Sequence, residues 1–135
     1  MNLLLFIDTS ALIALVHPQD QYHDRIRSYF RRSGEAIRGV TYSLVLSEFL
    51  TFFSRHGDLR RALDFYERIL ENRDLKIIWV DRKLHQESSK LLLKYADQGL
   101  SFTDAASVAV MKRERLTQAL AFDDDFVKVG FQTLP

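Results

Sequence analysis

Apolar positions run without interruption from Leu3 to Ile7 and stop at Asp8, the pattern of a strand buried on both faces. Thr9 to Leu15 then reads as a helix that Pro18 helps to terminate. A polar stretch of helical length follows from Asp20 to Arg32, then a break at Ser33-Gly34 and a short strand from Ala36 to Thr41. Two helices are predicted next, Ser43 to about His56 and Asp58 to about Asn72, with Gly57 between them in the position where a left-handed residue is wanted. Leu75 to Val80 is an apolar, β-branched third strand. Arg82 to Tyr95 carries Leu84, Leu91, Leu92 and Tyr95 at amphipathic helical spacing and is ended by Gly99. Thr103 to about Arg115 predicts a helix rich in small apolar residues, Gln118 to Phe122 a fourth strand, and Phe131 to Leu134 a short fifth.

Strands that alternate with helices and are too apolar for a solvated face predict an α/β fold. The expected architecture is a three-layer α/β/α sandwich around a mainly parallel sheet of four to five strands. In such folds chemistry gathers beyond the carboxyl ends of the strands. The residues that follow each strand are therefore the ones to examine.

Composition narrows the function classes. With 135 residues, 47% hydrophobic and 27% charged, the chain has the size and balance of one domain spanning residues 1–135. The absence of cysteine removes disulfides and thiolate metal sites and suits a reducing cytoplasm. The apolar opening has no basic n-region and is interrupted by Asp8, unlike a signal peptide. No stretch approaches the roughly 20 apolar residues of a membrane helix, so no membrane association is expected. Lys and Arg total 19 against 18 Asp and Glu, so any contact with a polyanion must be local.

Asp8 directly follows the first predicted strand and Asp123 the fourth, which places two carboxylates at one sheet edge if the strands are parallel. Each could simply cap the following helix. Asp104 lies in the first turn of its helix, and Ser101-Phe102-Thr103-Asp104 fits a loose capping box. Glu48 falls between Leu44 and Phe52 at the border of an apolar stripe, a place where a rim glutamate is ordinary. Gathered together without a cation, four carboxylates would repel and raise at least one pKa. A hard divalent cation such as Mg²⁺ or Mn²⁺ resolves this, because it prefers oxygen ligands and keeps waters for use on phosphate oxygens. Metal-assisted phosphodiester hydrolysis is the reaction that such a site suits. The histidines, His17, His23, His56 and His85, form no HExxH pair and are expected at the surface. Phosphate-binding glycine loops and a Gly-x-Ser-x-Gly elbow are absent.

The segments Ile7-Asp8-Thr9-Ser10-Ala11-Leu12-Ile13, Ser47-Glu48, Ser101-Phe102-Thr103-Asp104-Ala105-Ala106 and Phe122-Asp123-Asp124-Asp125-Phe126 together resemble the PIN-domain ribonucleases, particularly VapC-type toxins of toxin-antitoxin pairs. Order and spacing match over essentially the whole chain. The resemblance implies a PIN-like fold in which Asp8, Glu48, Asp104 and Asp123 surround Mg²⁺ or Mn²⁺, with Asp125 as a further ligand. It implies that the Ser10 hydroxyl lies beside the metal or the phosphate and that Thr103 caps the helix carrying Asp104. It further implies endonucleolytic RNA cleavage leaving a 5′-phosphate and a 3′-hydroxyl, a homodimer, and a cognate antitoxin whose tail crosses the site. Ala121 departs from the family, which often has a hydroxyl residue there.

Basic residues cluster as Arg25, Arg27, Arg31 and Arg32, as Arg55, Arg60 and Arg61, and as Lys112, Arg113 and Arg115. Each cluster is either a solvated face or a contact for RNA phosphates. Ten phenylalanines, several in Phe49-Leu50-Thr51-Phe52-Phe53 and one at Phe65, are either an ordinary helix-on-sheet core or more than such a core can cover. Other folds with acids at strand ends fit less well. A receiver domain would pair two acids after its first strand, and a haloacid-dehalogenase-type phosphatase would need Asp where Ser10 stands. A ribonuclease-H-like nuclease would open with antiparallel strands. A catalytically silent RNA- or protein-binding module on the same fold is the alternative of a different class.

Overall fold

The computed structural model describes residues 3–33 and 37–135. Ala36 of the predicted second strand and Gly34 of the predicted break lie outside the described residues. Five strands form one sheet: Leu3–Ile7 (β1), Ile37–Tyr42 (β2), Leu75–Ile78 (β3), Gln118–Leu120 (β4) and Gln132–Leu134 (β5). Their order is β3-β2-β1-β4-β5 and every neighbouring pair is parallel. Parallel strands require crossovers, and the helices supply them: Thr9–Val16 (α1), His23–Ser33 (α2), Ser43–Arg55 (α3), Leu59–Glu71 (α4), Arg82–Lys94 (α5), Phe102–Arg113 (α6) and Asp125–Lys128 (α7). The three-layer α/β/α arrangement expected from the hydrophobic pattern is the one observed.

The strand order explains where a site can form. From β1 the chain builds outward through β2 and β3, then returns to add β4 and β5 on the other flank of β1. The crevice between the carboxyl ends of β1 and β4 is thus the topological switch point. It is closed at backbone level by the Asp8 N–H, which donates to the Leu120 carbonyl at 3.1 Å.

Burial follows the apolar pattern. Leu5, Phe6 and Ile7 of β1 are all buried, as expected for the central strand. Phe49 and Phe53 on one face of α3 are buried at 0% and 2% exposure, while Phe52 and Phe65 are partly buried against the same core. The phenylalanines therefore fill a core rather than a partner surface. Each fully buried ring stabilises the fold by about 1.5–3 kcal/mol through removal of apolar area from water. The large apolar side chains that remain exposed are others, among them Leu59, Leu63 and Leu70, which share one stripe along α4. Gly39 sits where a Cβ would meet the terminal methyls of Ile7 and Leu75 at 2.7 Å each, so a larger residue there would require those side chains to shift. Gly57 has φ +67, the left-handed turn expected between α3 and α4.

Several boundaries differ from expectation. The α2 helix starts at His23 rather than Asp20, because the Asp20 carboxylate accepts the Tyr22 N–H at 2.8 Å and holds a turn. The β3 strand stops at Ile78, and the Val80 N–H turns aside to the Ser43 hydroxyl at 2.9 Å. The β4 strand ends at Leu120, so Asp123 stands three residues beyond it instead of adjoining it. The short α7 was not anticipated. Of the histidines expected at the surface, His23 is buried with its Nδ1–H donating to the Ala14 carbonyl at 2.6 Å. His17 is half-buried, edge-on to Phe52 and Phe53. No helix among the described residues is long and apolar enough to cross a membrane.

Candidate active site

Asp8 ends β1 at the switch point and is 3% exposed. Its carboxylate serves first as the N-cap of α1: Oδ2 accepts the Ser10 N–H at 3.3 Å and the Ser10 hydroxyl at 2.8 Å. The same Ser10 Oγ accepts the Phe122 N–H at 3.0 Å. One hydroxyl thus couples Asp8 to the loop after β4 that carries Asp123. This linkage was not visible in the sequence, where Ser10 drew notice only through the family resemblance. It also reaches the loop directly beside Ala121, the position where the family's usual hydroxyl is missing.

Asp104 completes a full capping box on α6. Ser101 Oγ accepts the Asp104 N–H at 3.0 Å, and Asp104 Oδ2 accepts the Ser101 N–H at 3.1 Å. The cap of this helix is therefore Ser101, not Thr103. Thr103 lies within the first turn, its carbonyl accepting the Ser107 hydroxyl at 2.8 Å. Asp123 fixes its own loop by accepting the Asp125 N–H at 3.2 Å. Asp125 opens α7, where Lys128 reaches it at 3.7 Å and Asp124 at 3.5 Å.

The structure brings Asp8, Asp104, Asp123 and Asp125 into mutual electrostatic contact. Burial, then the nearby Asp123 charge, pushes Asp8 up from 3.8 to about 7, against the lowering effect of its Ser10 hydrogen bonds. Burial is also the main cause that raises Asp104 to about 6, with Asp125 adding to it. Asp123 is raised mainly by burial, against the lowering effect of the Asp125 N–H and of Asp8, with the charges of Asp125 and Asp124 adding to the rise. The strongest influences between carboxyls thus join Asp8 to Asp123 and Asp104 to Asp125, and Asp125 acts on Asp123 as well. Among the described residues no Lys or Arg forms an ion pair with Asp8, Asp104 or Asp123.

Glu48 stands apart from these pairs. It is exposed on α3, and its Oε1 accepts the Thr9 hydroxyl at 2.9 Å. It is connected to Asp8 only through that neighbouring residue. Thr9 is the positioning residue that sequence reasoning missed, although its place between Asp8 and Ser10 at a strand-to-helix turn was a usable signal. A shallow cleft holds Thr9, Glu48 and Thr103 together.

Oxygen donors alone, gathered in a partly buried crevice that raises Asp8, Asp104 and Asp123, are the donor chemistry of a hard divalent cation. The residues present therefore fit Mg²⁺ or Mn²⁺. Among the described residues no three acidic or histidine side chains stand close enough together to hold a metal ion as they are arranged here.

The fold and site define a parallel α/β domain with a group of carboxylates at its topological switch point. The chain belongs to the PIN-domain family, whose profile matches residues 5–132. It is 28% identical over 128 residues, 95% of each chain, to the 23S rRNA-specific endonuclease VapC20 of Mycobacterium tuberculosis. The crystal structure of that VapC20, described as a sarcin-ricin loop cleaving toxin, superposes with a TM-score of 0.85 over 94% of this chain and 95% of the other. The fold is also that of a chain in the Rickettsia felis VapBC2 complex bound to promoter DNA, with a TM-score of 0.71, 13% identity and 98% of each chain covered.

Proposed function

We propose that the chain is a metal-dependent endoribonuclease, the toxin component of a type II toxin-antitoxin pair, acting on structured ribosomal RNA of the kind that VapC20 cleaves. The observation that carries this reading is the gathering of Asp8, Asp104, Asp123 and Asp125 at the switch point, where burial and neighbouring charge raise Asp8 to about 7 and Asp104 to about 6 and push Asp123 upward. Asp8, Asp104 and Asp123 would hold Mg²⁺ or Mn²⁺, with Asp125 as a fourth donor. When bound, the cation supplies positive charge to the phosphate and makes water a stronger nucleophile at neutral pH.

The chain's own residues supply the rest. Ser10 keeps the Asp8 carboxylate aimed into the crevice and keeps the Asp123 loop in register with it. Ser101 orients Asp104 through the capping box, which occupies Oδ2 and leaves Oδ1 without a partner in that box. Glu48, whose carboxylate accepts the Thr9 hydroxyl, would orient the attacking water and take its proton. Attack by water on the phosphorus releases the 3′ oxygen and leaves a 5′-phosphate, with no covalent intermediate.

Two surfaces support RNA and protein partners. Lys112 and Arg113 join Lys83, Lys90 and Lys94 around a cleft of about 580 Å³ between α5 and α6. Asp104 and Lys112 are eight residues apart on α6, about 12 Å along its axis. Phosphates a few nucleotides from the scissile one can therefore reach these cations. The exposed stripe of Leu59, Leu63 and Leu70 suits an apolar protein contact, either the second copy of a homodimer or the antitoxin.

The direct test is cleavage of 23S rRNA, and of a sarcin-ricin hairpin, by purified protein with Mg²⁺, Mn²⁺ or chelator, beside Asp104→Asn. Metal-dependent cutting that is lost in the variant, with 5′-phosphate and 3′-hydroxyl ends, is expected. A 2′,3′-cyclic phosphate product would contradict water attack. Binding without cutting under every metal would leave a silent RNA-binding module.

A further inference from the structure

Beyond the acid pairs, the wall of the site is aromatic. Tyr22 precedes α2, and its position is fixed by the turn in which the Asp20 carboxylate accepts its N–H. Its ring lies flat on that of Phe122, with centroids 4.3 Å apart and an interplanar angle of 0°. The Arg25 guanidinium stands 5.9 Å from the Phe122 centroid and is held by the Pro135 carbonyl at 2.7 Å. These residues come from opposite ends of the chain, so no local sequence motif announces them. Both rings are half-buried rather than enclosed in the core. With Ile13, Phe52 and Asp20, they bound a cavity of about 380 Å³ whose remaining walls are Ser10 and Asp123.

The chemistry of this cavity is split. One end consists of residues of the carboxylate site, where the reading above places a phosphate. The other end, made by Ile13, Tyr22, Phe52 and Phe122, is mainly aromatic, and the one further polar side chain in the lining, Asp20, would repel a phosphate. A ligand that satisfies both ends must carry a flat π-system a short distance from a phosphodiester. Aromatic side chains beside a backbone-binding site are the usual means by which proteins hold unstacked bases of single-stranded or looped RNA. The cavity lies within the size range that holds small ligands, room enough for a base with part of its ribose.

We propose that this cavity is a nucleobase subsite that receives one unstacked base adjacent to the scissile phosphate, with Tyr22 and Phe122 as the stacking platform and Phe52 as a further wall. The proposal rests on the ribonuclease reading above and deepens it. The subsite gives the enzyme a preference for loops and bulges, because a base held in a duplex cannot enter. It is coupled to the reacting centre through Ser10, whose hydroxyl bonds both Asp8 and the backbone N–H of Phe122.

The test measures binding apart from cleavage. A short single-stranded oligoribonucleotide containing 2-aminopurine in place of adenine is titrated, in chelator, into the wild-type protein, Tyr22→Ala, Tyr22→Phe and Lys112→Glu. Stacking quenches 2-aminopurine. Wild type and Tyr22→Phe should bind with quenching, and Tyr22→Ala should bind about 5- to 100-fold more weakly and lose the quench. Lys112→Glu should weaken binding while leaving the quench of the bound RNA intact. Circular dichroism verifies that each variant is folded. With Mn²⁺ added, Tyr22→Ala should raise KM on a looped substrate more than it lowers kcat. Full quenching and unchanged affinity in Tyr22→Ala would overturn the proposal and leave the cavity to a protein side chain. A Tyr22-dependent quench in a wild-type protein that cuts no RNA would retain the subsite and reject the nuclease reading.

Discussion

Replacing Asp8 with Asn removes one charge from the acid crevice while leaving its shape almost unchanged. The amide oxygen can still accept from the Ser10 N–H and hydroxyl, and the amide nitrogen can donate to the carboxylate of Asp123. In the metal-free wild type, Asp8 ionises at about 7 in the folded chain against 3.8 as its ordinary value. A carboxyl whose folded pKa is raised binds its proton more tightly in the native state. Its contribution to stability is therefore complete below 3.8 and is lost as pH rises to about 7. The loss accumulates at about 1.4 kcal/mol per pH unit across that window and reaches about 4 kcal/mol above it. Relaxation of the apo site leaves about 2–4 kcal/mol for Asp8→Asn to recover at pH 8. For a chain of this length that raises Tm by about 5–15 °C. Thermal melts of both proteins in chelator at pH 5 and pH 8 measure it, and the gap should shrink markedly at the lower pH. Adding Mn²⁺ should stabilise the wild type by mass action, about 2.7 kcal/mol at a hundredfold excess over Kd, and do little for the variant, which should also fail to cut RNA. Equal melting temperatures at pH 8 in chelator, or a gap unchanged at pH 5, would refute the account of Asp8 as a carboxyl forced toward neutrality.

Three further outcomes follow from particular contacts. Ser10→Ala strips Asp8 of its hydroxyl partner and leaves the Phe122 N–H without one; thermal or urea unfolding should show a loss of about 1–2 kcal/mol, and cleavage rates should fall about 10- to 100-fold. Ser101→Ala opens the capping box and should cost about 1 kcal/mol of stability, with a drop in metal affinity by calorimetry as Asp104 loses its orientation. In the cleft between α5 and α6, Lys94→Glu combined with Lys112→Glu should weaken RNA binding across sequences and flatten its dependence on salt by about 0.7–0.9 for each phosphate contact removed, as read from titrations at several ionic strengths; an unchanged slope would move the RNA path elsewhere.

The parts of this molecule that were legible in the sequence are those set by neighbours along the chain. The run from Leu3 to Ile7 announces a central strand, Gly57 a left-handed turn, and Ser101 with Asp104 a capping box, because each depends on spacings of a few residues. Contacts between distant segments left no such trace. The stacking of Tyr22 on Phe122 joins positions a hundred residues apart, and the partnership of Asp104 with Asp125 depends on α7, a helix too short to create a periodic signal. His23 was misplaced because a histidine at the first turn of a charged helix does not register as burial, although Ile26 one turn on is buried beside it and His23 is bonded to Ala14. Thr103 and Ser101 are both hydroxyl residues before the same acid, and only backbone geometry separates the cap from the first turn.

Asp104 shows why the acids taken one at a time are ambiguous. As a capping residue its carboxylate spends Oδ2 on the Ser101 N–H, and a cap exposed to water would have its pKa lowered by that bond. Its pKa is raised instead, because burial and the Asp125 charge outweigh the bond. Capping alone does not account for that rise, which comes first from burial and then from the nearby Asp125 carboxylate. The structural and chemical accounts of Asp104 are thus successive rather than alternative: the capping box fixes the carboxylate, and the repulsion it then meets is what a cation would relieve.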